Sequence, residues 1–153
     1  MKRLKYKISI QKPVIIVYDV MLGLSDKSTY EDWTTIFSPT SSYEGNWNTN
    51  SKMLFTSLDD KGERAGMISK ILENRKNEFV SIQHYGMLQS GEEITSGPEV
   101  DPWAGGLENY HFEEENGITT ISIEIDAAEE HEGYMDKLYP SALKKLKEVC
   151  ERK

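Results

Sequence analysis

The chain has 153 residues, of which 37% are hydrophobic and 29% charged, and its net charge is −8 at neutral pH. That length suits one domain burying roughly 70% of its unfolded surface, and the composition excludes a disordered chain. The acidic balance argues against nucleic acid as a partner, because Lys and Arg gather only near Lys2 to Lys7 and Lys144 to Lys153.

Cys150 is the single cysteine, so no intrachain disulfide can form, which suits a reducing compartment. Met1 to Ile10 is basic but has no apolar signal core, and no apolar run is long enough to span a bilayer. A cytoplasmic protein without membrane insertion is expected.

Lys5 to Ile10 alternates and reads as a strand. Val14 to Leu22 carries β-branched residues that favour a strand, yet Val14, Val17, Tyr18, Met21 and Leu22 share one helical face and Gly23 is a good stop. The spacing decides for a helix. Ile15 and Ile16 then fall where at least one points outward, either onto a second subunit in a homodimer or under neighbouring chain. Ser28-Thr29-Tyr30-Glu31 has the spacing of a capping box. The short helix it opens carries Tyr30, Trp33 and Phe37 along one side and ends at Ser38-Pro39.

Strand and turn signals follow. The strands are Tyr43 to Trp47, Lys52 to Leu58, Glu63 to Glu73, Glu78 to Leu88, Leu107 to Glu115 and Ile118 to Ile125. Asn116-Gly117 joins the last two in a hairpin. Gln89 to Gly105 holds three glycines and two prolines and shows no period, so it reads as a long functional loop, a cover anchored by Trp103. From about 130 to 151 Met135, Leu138, Ala142, Leu146 and Val149 repeat at helical spacing, with Pro140 expected to kink or restart the helix.

The order of elements resembles the helix-grip fold of the START-related (SRPBCC) lipid-binding superfamily, and within it the homologues of the activator of the heat-shock chaperone ATPase. Pro13 with Val17-Tyr18, Trp33, Gly66 to Ile71, and Gly133-Tyr134 with Leu138 carry the likeness, over roughly residues 5 to 150. Thr34, Lys70 and Ser51-Lys52 depart from that family's usual residues. The resemblance implies an α+β fold in which a curved antiparallel sheet of six or seven strands surrounds a long C-terminal helix, with two short helices after the first strand.

In such a fold a cavity can lie between sheet and helix and hold a small hydrophobic molecule. The candidate walls are Met53, Phe55, Ile68, Ile82, His84, Tyr110, Phe112, Ile121 and Ile123, closed on the helix side by Met135 and Leu138. Trp33, Phe37 and Trp103 would form the mouth. Each of these residues also suits an ordinary core position. His84 faces the cavity if Val80, Ile82 and His84 share the inner face, and lies outside if the register slips by one.

The three histidines have no metal-ligand spacing and no Gly-rich phosphate loop is present, so no metal or cofactor is expected. No catalytic set stands out, although the superfamily resemblance also allows an aromatic-cyclase-type enzyme, for which His84 with Tyr110 is the pair to nominate. The chaperone-activator likeness allows a protein-interaction module as a third reading.

Overall fold

The computed structural model describes residues 1–153 as an antiparallel sheet and three helices in a helix-grip arrangement. Strand β1 is Lys2–Ile10, followed by helices α1 (Val14–Leu22) and α2 (Lys27–Thr34). The sheet continues with β2 (Ser42–Gly45), β3 (Lys52–Leu58), β4 (Arg64–Arg75), β5 (Phe79–Gln89), β6 (Glu92–Ile94), β7 (Gly106–Glu115) and β8 (Ile118–Ala127). A 3-10 turn at Glu129–His131 leads into α3, Glu132–Glu151. The strand order is β1-β8-β7-β5-β4-β3-β2, with β6 added beside β5.

Helix wins over strand in α1 because one face is buried: Val17, Tyr18, Val20, Met21 and Leu22 all enter the core, and Gly23 closes it at φ 68°. Its C-terminal carbonyls end inside the protein and need donors. Aromatic side chains supply them. Trp33 Nε1 donates to Met21 O at 2.9 Å, and Trp47 Nε1 and the Tyr43 hydroxyl donate to Leu22 O at 3.0 and 2.9 Å. Ile15 is 60% exposed, while Ile16 packs partly against the core.

Helix α2 starts earlier than the capping box suggested. Asp26 is the cap, its carboxylate accepting from the Ser28 backbone N–H at 3.0 Å. The helix ends at Thr34, so Phe37 sits in the turn beyond it. Helix α3 does not restart at Pro140. Both Pro140 and Asp136, whose carbonyl loses its helical partner, are exposed, and water can satisfy that carbonyl. The buried stripe of α3 is Tyr139, Ala142, Leu143, Leu146, Val149 and Cys150. Leu138 lies on its flank, half-buried and outside the core cluster.

Two register shifts shape the sheet. Between β4 and β5 the pairing steps from Ile68 opposite Gly86 to Ser69 opposite His84, leaving Tyr85 as an extra residue. Before this bulge β5 turns Val80, Ile82 and His84 inward; after it Met87 is inward and Gly86 and Leu88 point out. On β4, Ser69 therefore faces the helix and Ile68 does not. Ile68, Leu88 and Val100 are buried but stand outside the main core.

The Gln89 to Gly105 segment is not structureless. It contributes β6, and a side chain at Gly86 would meet Ile94 O at 2.9 Å and Thr95 Cγ2 at 3.1 Å. The segment therefore packs on the outer face of the sheet. Gly66 is required in β4: at φ 136°, a Cβ there would lie 1.9 Å from Phe55 O.

Leu146 is fully buried in the helix–sheet core. Leu146→Ala is expected to lower unfolding stability by about 2–5 kcal/mol in denaturant melts. A loss under about 0.5 kcal/mol would mean that α3 does not anchor the fold.

Candidate functional site

The inward faces of β5, β7 and α3 bring a polar cluster together inside an apolar interior. Glu108 is central. On β7 it shares its face with Tyr110 and Phe112, opposite Ile125, Ile123 and Ile121 of β8. His84 Nε2 lies 2.9 Å from Glu108 Oε1. The Tyr139 hydroxyl, from α3, donates to Glu108 Oε2, and the Tyr110 hydroxyl reaches the same oxygen at 3.5 Å. On the far side of the imidazole, Ser69 Oγ is 2.6 Å from His84 Nδ1.

The hydrogen-bond chemistry selects a tautomer. Ser69 is fully buried, and Nδ1 is the acceptor its hydroxyl reaches. A buried O–H without an acceptor is costly, so Ser69 donates to Nδ1 and Nε2 carries the proton donated to Glu108. The imidazole is then neutral and the carboxylate ionised. Burial works to raise the Glu108 carboxyl, but the hydrogen bond and attraction of the His84 N–H, with the tyrosine O–H groups, outweigh it and hold the group below its ordinary value. Burial, then the Glu108 charge, push the Tyr110 and Tyr139 phenols well up, so both stay protonated as donors.

Aromatic rings surround the cluster. Tyr6 stacks on Tyr139 at 5.2 Å, and Phe37 meets Tyr139 edge-on at 5.4 Å. Phe55 stands edge-on to His84 at 6.0 Å, and behind it Tyr30 packs against Trp33, Tyr43 and Trp47. The side chains of His84 and Glu108 keep 13% and 15% of their surface exposed. Phe37, Phe55 and Met135 are half-buried and pack against the same core.

The remaining candidate residues divide clearly. Trp33, Met53, Ile82, Tyr110, Phe112, Ile121 and Ile123 lie in the main core. Phe37, Phe55 and Met135 pack against it from the rim. Ile68 is turned to the outer side by the strand parity described above. Trp103 sits in the outer-face segment, its Nε1 donating to Glu99 O at 2.7 Å, and it does not join the cluster. Leu138 stays on the flank of α3.

Glu108, Tyr139 and Ser69 were absent from the candidates. Each had a signal. Glu108 falls in the period-2 set of Tyr110 and Phe112, Tyr139 precedes Ala142 and Leu146 at helical spacing, and Ser69 shares parity with Ile71.

Two open surface grooves, of about 530 and about 360 Å³, lie at the β7–β8 turn and on the outer face of β1, β7 and β8; none of Ser69, His84, Glu108 or Tyr139 lines them. No group of three or more His, Cys, Asp or Glu side chains converges in metal-binding geometry. Burial raises the Cys150 thiol to about 12. No helix is long and apolar enough to cross a membrane.

No family model matches the chain, and no curated protein matches it. Solved structures do. A protein of Nitrosomonas europaea is similar at 14% identity with a TM-score of 0.71, over 98% of this chain and 94% of its own. The Aha1 dimer of Colwellia psychrerythraea is similar at 15% identity and TM-score 0.68, over 99% and 97%. DynU16, a protein of the dynemicin biosynthetic locus, is similar at 9% identity and TM-score 0.68, over 99% of this chain and 48% of that one. At these identities the likeness is one of fold.

Glu108 sits below its ordinary carboxyl value in the folded state, so its ionisation stabilises the fold above the unfolded value near 4.5, and that contribution is lost as pH falls through the lower folded value. Comparing the chain with Glu108→Gln cancels the other titrating groups. The stability difference should shrink steadily as pH falls from neutrality through 4.5 and below. A difference that stays constant across that range would show that the carboxylate is not favoured by its surroundings.

Proposed function

We propose that this chain binds a small, largely apolar molecule between the concave face of the sheet and α3, with Glu108, His84, Tyr110 and Tyr139 setting the position of its polar end. One observation carries the reading. An ionised carboxylate stands among aromatic rings and keeps a solvent-reachable edge. Burying such a charge costs several kcal/mol even when it is paired, and an apolar residue of similar volume is often as stable or more so. A charge kept there points to a role beyond folding.

Native mass spectrometry of freshly purified protein tests this. A small additional mass that denaturation removes supports the reading. A bare chain mass, together with unchanged melting across a panel of amphipathic compounds, overturns it. The same spectra report on the homodimer that we propose from the exposed Ile15. A monomer at high concentration removes that proposal.

A second reading has its own observation. Glu108 is ionised, reachable and hydrogen-bonded to an imidazole, which suits a general base acting on a carbon acid. Glu108 would take the proton next to a carbonyl, lose it to water, and return a solvent-derived proton to the same carbon. Incubation with 4-phenylbutan-2-one in deuterated water should then place deuterium beside the carbonyl faster than in Glu108→Gln. Equal exchange in the two proteins would reject the base.

A further inference from the structure

We propose that the ligand of this site is an organic cation, an amine or quaternary ammonium with an apolar body, whose charge rests on Glu108 at the rim between Phe37 and Phe55. This deepens the ligand-binding reading above and depends on it.

The charge balance of the cluster comes first. Three donors meet Glu108, from His84, Tyr139 and Tyr110, and all three are neutral groups in the tautomer that Ser69 selects. No Lys or Arg forms an ion pair with it; its one charged-type contact is with His84. No lysine or arginine of the protein therefore neutralises the carboxylate. It can accept about four hydrogen bonds and uses three, leaving one acceptor position.

The donors decide between ligand classes. A neutral ligand held by its carbonyl needs a free N–H or O–H. Those of His84, Tyr139 and Tyr110 already point at Glu108. An anionic ligand would meet like charge at the rim. A cation needs an acceptor and is attracted by ring faces, and both are present. Phe55 lies beside His84 and Phe37 beside Tyr139, the groups that donate to the two carboxylate oxygens. A net charge of −8 also raises the local concentration of cations around the molecule.

Calorimetric titration of the whole chain with benzyltrimethylammonium and with 4-phenylbutan-2-one tests the proposal. The cation should bind at least about tenfold more tightly than the ketone, and Glu108→Gln should abolish that preference. Phe55→Leu keeps apolar volume but removes a ring face, and it should weaken the cation about threefold to thirtyfold and the ketone little. If Glu108→Gln fails to fold, by circular dichroism, Phe55→Leu carries the test. Equal binding of the two probes, or tighter ketone binding, overturns the cation and leaves a ligand site in place. Binding of neither probe also overturns the cation, and the native mass spectrum then decides separately whether a ligand site exists.

Discussion

Placing the Glu108 carboxylate between sheet and helix constrains three elements at once. A buried anion must find donors on the sides that water cannot reach, or it unfolds its surroundings or takes up a proton. Here His84 comes from β5, Tyr110 from β7 and Tyr139 from α3. The register of β5 against β7 and the rotation of α3 about its axis are thereby tied to a single side chain. Apolar packing along α3 tolerates small rotations because it is non-directional. The Tyr139 hydroxyl does not, and it converts a greasy contact into a specified one.

The bulge at Tyr85 belongs to the same arrangement. With regular pairing beyond Ser69 and His84, Tyr85 would oppose Ile68, and β5 would keep one parity to its end. The extra residue reverses parity, so that Met87 opposite Met67 continues the inner face and Gly86 opposite Ile68 belongs to the outer one. That reversal gives the outer face a buried patch of its own, under β6 and the segment after it. It leaves the rim beside His84 to flexible methionine and aromatic side chains, which adapt to shape more readily than β-branched ones.

Much of the architecture was legible because it rests on local periodicity. Lys52–Leu58 and Val14–Leu22 coincide with the elements read from their spacing, and the Asn116-Gly117 hairpin lies where its turn chemistry places it. The misses have two kinds of cause, local ambiguity and partners distant in sequence. Asp26 outcompetes Ser28 as a cap because its carboxylate reaches the Ser28 N–H, a local choice that two polar residues so close together leave ambiguous. Strand β6 is three residues long and exists because β5 offers it an edge. Ile68 looks like an inward residue by type alone, and only the strand register turns it to the outer face. Glu108 was passed over for a different reason, since a carboxylate next to the acidic stretch Glu113 to Glu115 looks like one more solvated charge.

The cluster also separates what stabilises the fold from what equips it. Trp33, Tyr43 and Trp47 satisfy the end of α1 with neutral hydrogen bonds and bury large apolar area, so they serve the fold outright. Glu108 does the reverse. Its three donors offset a desolvation cost that an apolar residue would never incur, and they spend their hydrogen-bonding capacity on the protein itself. What remains for a partner is a carboxylate acceptor with aromatic rings beside its donors and part of its surface exposed. A site built to grip a carbonyl would free its donors, and a site built for packing alone would omit the charge. The arrangement in this core does neither, and the property it retains is attraction for a positive group.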